Sequence, residues 1–209
     1  MSTTADLGTA DHQPRNITVA LVIGALTVSV TSTLGTPLIP TIADSQGVSL
    51  ETAQWLLTIT MLVGAVVTPV IGRLFDGARR ARLLHFTLGS VVAGSLVAGT
   101  AQRFPQLLAG RAIQGIGYAT VPLAIALARE LLEGEQQRRA IAALSITVAV
   151  GAGLGFPVTG LIAEYADYHT AFLVAAAFGL MAIALLRRHL PRSAAEHEPV
   201  ELDWAGAVL

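Results

Sequence analysis

The chain has 209 residues, 53% of them hydrophobic and 13% charged, with a mean hydropathy of +0.64 and a net charge of −1. A soluble domain carries about a quarter of its residues as charges, so this composition argues against a soluble globular architecture. There is no cysteine, which removes disulfides, thiolate metal sites and cysteine nucleophiles, and the basic residues, all arginine, form no broad basic face for nucleic acid.

In chain order, the first sixteen residues are a polar tail expected to lie in the cytoplasm. They lack the basic start and small-residue cleavage site of a signal peptide, so the first apolar span is expected to be retained. Six apolar segments then follow, each near the roughly 20 residues a helix needs to cross a bilayer core: Ile17–Ile39, Thr52–Ile71, Leu83–Ala101, Phe104–Leu127, Ala140–Ile162 and Thr170–Leu186. Short connections carry turn or cap chemistry at Pro40, Asp44-Ser45 and Glu133-Gly134-Glu135. Residues 17–186 are expected to form one helical membrane bundle. Residues 187–209 are expected to be a cytoplasmic linker and the start of a seventh span at Ala205–Leu209.

Orientation follows from arginine placement at the span ends. Arg15, Arg73, Arg79, Arg80, Arg82, Arg129, Arg138, Arg139, Arg187, Arg188 and Arg192 fall on one face, and only Arg103 on the other. The bias puts both ends of the chain in the cytoplasm, in a multi-pass protein of the inner (plasma) membrane. Trp55 and Tyr168 then fall near the outer boundary, where interfacial aromatics are expected.

Three stretches go beyond topology. Residues 72–86, GRLFDGARRARLLHF, form the turn between spans two and three. Its arginines hold orientation, but Asp76 does not serve that purpose, because a carboxylate among them weakens attraction to anionic lipid. Span four contains RAIQGIGYA, residues 111–119. A charge at that depth costs about 2.5–3.5 kcal/mol on insertion scales and is expected to face a polar interior. At helical spacing Arg111, Gln114, Gly115, Tyr118 and Pro122 share a face. The alternative is an arginine snorkelling to the outer boundary, about 10 Å away at 1.5 Å per residue. Span five contains GAGLGFPVTG, residues 151–160. There Gly151 and Gly155 permit close helix packing, and Pro157 removes one backbone hydrogen bond. A generic packing face explains that stretch equally well on its own.

Together the three stretches resemble the signatures of the major facilitator superfamily. Gly72, Leu74, Asp76, Arg80 and Arg82 are similar to its cytoplasmic loop motif, with Arg79 where a second glycine stands. Arg111, Gln114 and Gly115 resemble its fourth-span motif. Gly151, Gly155, Pro157 and Gly160 resemble its antiporter motif, with Phe156 and Leu161 in place of glycines. Trp55 after Gln54, and LDWAGAVL at residues 202–209, look like the fourteen-span drug:proton antiporter branch. Thr31 stands where that branch usually carries an acid, and Tyr168-His169 where it carries an aromatic–arginine pair.

The resemblance implies an all-α integral membrane fold, six helices forming the N-terminal half-bundle from two inverted three-helix repeats. It implies alternating access between two halves around a midplane site. Asp76 would be a gating contact at a helix N-terminus of the other half, and Arg111 with Gln114 would face the cavity between halves. Thr31, Thr33 and Tyr118 are further cavity candidates. Left uncovered, the Arg111 stripe is expected to meet lipid, and the Gly151–Gly155 face to await the other half. The implied partners are the bilayer, a small-molecule substrate, protons and that second half, with no nucleic acid and no cofactor.

The expected activity is efflux of a drug or other small molecule coupled to a proton gradient. Uptake of a small metabolite and a non-transporting sensor or scaffold are the alternatives. No Asp or Glu lies well inside a span, so either the proton carrier belongs to the other half or coupling is absent. Thr27, Ser29, Thr31, Ser32, Thr33 and Thr36 on span one either line a cavity or bond their own helix backbone. An enzyme is not expected. All five histidines lie outside the spans or at their ends, and none forms a ligand-spaced pair with a buried acid, so no metal or catalytic residue is assigned.

Overall fold

The computed structural model describes residues 12–73 and 80–190. Span one is α1 (His12–Thr33), prolonged by α2 (Gly35–Gln46); span two is α3 (Leu50–Arg73) and span three is α4 (Arg80–Gly99). Span four is α5 (Phe104–Gly115), a 3₁₀ turn (Ile116–Ala119) and α6 (Thr120–Leu131); spans five and six are α7 (Gly134–Tyr165) and α8 (Tyr168–His189). Six of these segments are long and apolar enough to cross a membrane, and the described residues contain no strand. α1 starts inside the expected N-terminal tail, and α7 begins six residues before the expected Ala140.

Prolines set two departures from regular helix. Span one does not end near Pro40 as expected. It breaks at Leu34, because Pro37 offers no N–H to the Thr33 carbonyl, and then resumes as α2 with Pro40 inside it. Thr36, which loses its bond to Pro40, is on the exposed side, so its carbonyl is not stranded in the core. α2 ends at Gly47, whose φ of 62° is open to glycine, and the N–H groups of Gly47 and Val48 return to Asp44 and Ala43 at 3.4 and 3.0 Å. In span four, Pro122 cannot bond to the Tyr118 carbonyl, and the turn at 116–119 tightens to 3₁₀. At about three residues per turn this shifts the helix register. Pro122 is therefore exposed while Arg111, Gln114 and Gly115 are buried, and the expected polar stripe stops at Tyr118.

The spans pack in a symmetric pattern. Span one lies against spans five and six, and span four lies against spans two and three; the pairs three–six and one–four complete the bundle. Exchanging one with four, two with five and three with six maps this pattern onto itself. Such an exchange relates two three-helix units of opposite direction, as inverted repeats require.

Two apolar cores form around this frame. The first joins α1, α4, α6 and α8 through residues such as Leu21, Leu88, Leu127 and Leu186. The second joins α2, α3, α5 and α8 through Leu38, Leu56, Leu107 and Phe172. Tyr168 belongs to the second core. It is 4% exposed and its hydroxyl accepts a 2.7 Å hydrogen bond from Gln46 at the end of α2, so it packs inward at its span end, whereas Trp55 is exposed. Spans two and five remain the least covered: 22% and 17% of their most apolar stretches are buried, against 39–56% for the other four.

Membrane helices gain little from excluding lipid from one another, so close backbone approach becomes the main source of cohesion. α4 and α5 meet where a Cβ on Gly94 would lie 2.5 Å from the Gly110 carbonyl oxygen. Gly151 and Gly155 are not held for another half as expected. They are buried against Ser29 and Thr33 of α1, because these short side chains let α7 approach span one. Gly153 and Gly160 meet nothing.

Gly94→Ala is therefore expected to destabilise the bundle by about 1–3 kcal/mol, the usual cost of overpacking. Gly153→Ala should be neutral or slightly stabilising through helix propensity. Thermal unfolding of the purified protein in detergent compares the two, and equal midpoints would refute the close-approach account of Gly94.

Candidate functional site

Between the two apolar cores lies a polar layer, built around span four. Pro105 sits in the first turn of α5, where its missing N–H is not needed. From there the buried positions Leu107, Gly110, Arg111, Gln114 and Gly115 form one inward stripe. Gly115 brings α5 against α3, where its Cβ would stand 2.5 Å from the Thr60 carbonyl oxygen. This approach carries Arg111 into the middle of the bundle, where it is 1% exposed. A snorkelling arginine would reach the boundary, so that alternative is excluded by burial. The stripe is already covered within this bundle, because Gln114 is 3% exposed and α1, α3 and α4 supply hydrogen-bond partners to the pair.

The guanidinium finds oxygen on several elements. Nε donates to the Leu56 carbonyl on α3 at 3.3 Å, and Nη1 donates to the Thr31 carbonyl at 3.3 Å and to Gln114 Oε1 at 2.7 Å. Gln114 Nε2 donates onward to Ser95 Oγ on α4 at 2.7 Å, and Thr60 Oγ1 donates to the Arg111 carbonyl at 3.1 Å. The Phe172 ring on α8 lies 6.0 Å from the guanidinium carbon, at the outer limit of a cation–π contact. Thr31 is in the last turn of α1, where the helix dipole favours a cation. Gly35, just past the break, matters for the same approach. A Cβ there would lie 3.1 Å from Nη2 and would collide with Leu57. Nη2 itself is buried and bonds to no protein atom.

Beside Arg111 is a cavity of about 10 Å³ walled by Thr31, Ser32, Thr60, Arg111, Gln114 and Tyr118, with two valines completing it. Tyr118 lies over Gly64, whose Cβ would stand 2.8 Å from the ring. The structure thus brings together Arg111, Gln114, Gly115, Thr31 and Tyr118. Thr33 is elsewhere, packed on Gly155. The span-one hydroxyls bond largely to their own helix: Thr27 to Ile23, Thr31 to Thr27, Ser32 to Ser29 and Thr33 to Val30, at 2.7–2.9 Å.

The other sequence motifs lie away from this layer. Gly72 and Arg82 are exposed, and Arg80 makes a 2.7 Å salt bridge with Glu130 at the end of α6. Leu74 and Asp76 lie outside the described residues, as do residues 202–209 with their LDWAGAVL match. Pro157 is exposed on α7 and Gly160 has no close neighbour.

Several members were not anticipated from sequence: Thr60, Ser95, Gly35, Phe172 and the Leu56 carbonyl. Isolated hydroxyls in spans two and three, Thr60, Ser90 and Ser95, were a usable signal, since polar groups inside a membrane bundle seek partners across helices. Backbone carbonyls give no sequence signal at all.

The sequence profile of the Major Facilitator Superfamily matches residues 21–207. The chain belongs to that superfamily. It is 30% identical over 191 residues to an uncharacterised MFS-type transporter of Mycobacterium tuberculosis, covering 91% of this chain and 28% of that protein. It is 26% identical over 193 residues to Multidrug resistance protein 3 of Bacillus subtilis, covering 92% of this chain and 37% of that protein. A peptide transporter solved with sulfate superposes with a TM-score of 0.77 at 14% identity, over 92% of this chain and 42% of its own. This chain therefore spans well under half the length of these relatives.

Arg111→Ala strips the donor from the Leu56 and Thr31 carbonyls and from Gln114 Oε1, and each stranded buried group costs about 1–3 kcal/mol. Arg111→Lys keeps the charge but loses the planar fork that reaches three oxygens, so it should melt between the wild type and the alanine variant. Thermal unfolding in detergent reads both. An alanine variant as stable as the wild type would show that the network holds nothing together.

Proposed function

We propose that this chain is one six-span half of a secondary transporter of the plasma membrane that exports a drug-like small molecule by alternating access, coupled to a proton gradient, with both ends of these residues in the cytoplasm. One observation carries the proposal: a facilitator bundle encloses an arginine-centred polar layer while spans two and five keep broad apolar faces uncovered. The relatives named for multidrug resistance support the substrate class. Exposed Met61, Leu62 and Val66 on α3, and Ile146, Val150 and Leu154 on α7, suit a second half seated along the same side chains.

In this proposal Arg111 and Gln114 form the polar floor of the pathway rather than its lipid-facing wall, and Tyr118 is the adjustable part of the cavity rim. Every Asp and Glu among the described residues is exposed. The proton carrier is accordingly assigned to the rest of the transporter. Asp76 is assigned the gating contact with the second half, through its charge and the dipole of the helix it would face.

Topology comes first among the tests. Reporter fusions after Arg82 and after Arg103 should report the cytoplasm and the outside, respectively, and finding both on one side would reject the orientation. For transport, proteoliposomes holding the full-length protein should accumulate a cationic dye when a proton gradient is imposed. Vesicles holding only these 209 residues should show no saturable flux, because a pathway between halves needs both. Asp76→Asn in the full-length protein should insert at wild-type abundance but lose most of the flux. Gradient-independent dye movement, or wild-type flux in the Asp76 variant, would count against coupling and gating respectively.

A further inference from the structure

We propose that the cavity beside Arg111 binds one small monovalent anion of the chloride class. Three observations converge on it. Arg111 is 1% exposed, yet its hydrogen-bond partners are a neutral amide oxygen and backbone carbonyls, and among the described residues no carboxylate is paired with it. Its Nη2 is buried without a bond to any protein atom, although buried donors are almost always satisfied. The cavity that Arg111 helps to wall measures about 10 Å³, room for a single water-sized particle.

A water molecule would satisfy Nη2 and leave the charge uncompensated in a low-dielectric interior, where an unpaired ion is strongly disfavoured. An anion does both. The cavity volume selects a monatomic ion over sulfate or phosphate, and the wall suits it. Gln114 spends one amide hydrogen on Ser95 and retains a second, and Tyr118 brings a hydroxyl to the same wall, while Thr31, Ser32 and Thr60 give their hydrogens to helix carbonyls. The site lies within the half-bundle interior alone and is read by melting rather than by flux, so it stands or falls apart from the proposed function.

The test is thermal unfolding of the purified full-length protein in detergent, in sodium chloride against sodium gluconate at constant ionic strength. Chloride should raise the midpoint saturably, rising with the logarithm of its concentration above half-saturation, and gluconate should not. Gln114→Glu sets a carboxylate within reach of Nη1, and Thr31→Asp sets one on the cavity wall. Each supplies the charge internally, so each should melt higher than the wild type in gluconate and lose its chloride response. Identical wild-type melting in the two salts would overturn the proposal, as would a chloride response preserved in both variants, which places the ion elsewhere.

Discussion

A guanidinium charge in the middle of an apolar helix bundle is the constraint around which the rest of this structure is arranged. Exposed to lipid it would cost several kcal/mol. The chain reduces that cost by carrying Arg111 inward until oxygens on α1, on α3 and on its own helix neighbour Gln114 surround it. Each of those oxygens needs a helix brought close. Gly115 allows α3 to approach, Gly94 and Gly110 allow α4, and Gly35 clears the space around Nη2 at the break in span one. The small residues of the interior are thus the geometric condition for burying the charge.

The same condition accounts for the break itself. An unbroken span one would pair each carbonyl of its last turn with a following N–H. Pro37 leaves the Thr33 carbonyl without its i+4 donor, and two residues earlier the Thr31 carbonyl accepts from Arg111 at 3.3 Å. On the opposite side Thr33 turns its hydroxyl to Val30 and receives Gly155 of α7. The glycine series of span five and the arginine of span four therefore grip one short segment from two sides. Motifs that sit 40 residues apart in sequence act on a common element, which neither shows by itself.

Much of this was legible in the sequence, and what was not has a definite cause. Helix number and order follow from apolar run length, and Arg111 and Gln114 were marked by polarity at depth. They face a polar interior as expected, but the neighbours that cover them were not legible, because helical periodicity says that residues share a face and not which neighbour covers it. The stripe was extended to Pro122 on the assumption of a regular helix, and a 3₁₀ turn of four residues moved that proline to the surface. Gly151 and Gly155 were recognised as a packing face but assigned to an absent partner, whereas the complementary Ser29 and Thr33 were already present in span one. A sequence displays small residues singly, and their pairing across helices emerges only in the fold.

The hydroxyl ladder of span one shows how narrow the polar layer is. Six hydroxyls within ten residues suggested a wet wall, yet Thr27, Thr31, Ser32 and Thr33 each return their hydrogen to a carbonyl three or four residues back. They satisfy themselves and thereby become small, nearly apolar surfaces, one of which, Thr33, receives Gly155 of α7. Polarity across helices is concentrated instead at Arg111, Gln114 and Ser95, three side chains on two helices joined through direct hydrogen bonds, with Thr60 shared between the Leu56 and Arg111 carbonyls. Apolar cores lie above and below that layer, so sliding span four by a turn would strand a charged and an amide group in hydrocarbon. The layer fixes the register of span four against spans one, two and three. The uncovered faces of spans two and five, with exposed side chains such as Met61 and Ile146, stand apart from that layer.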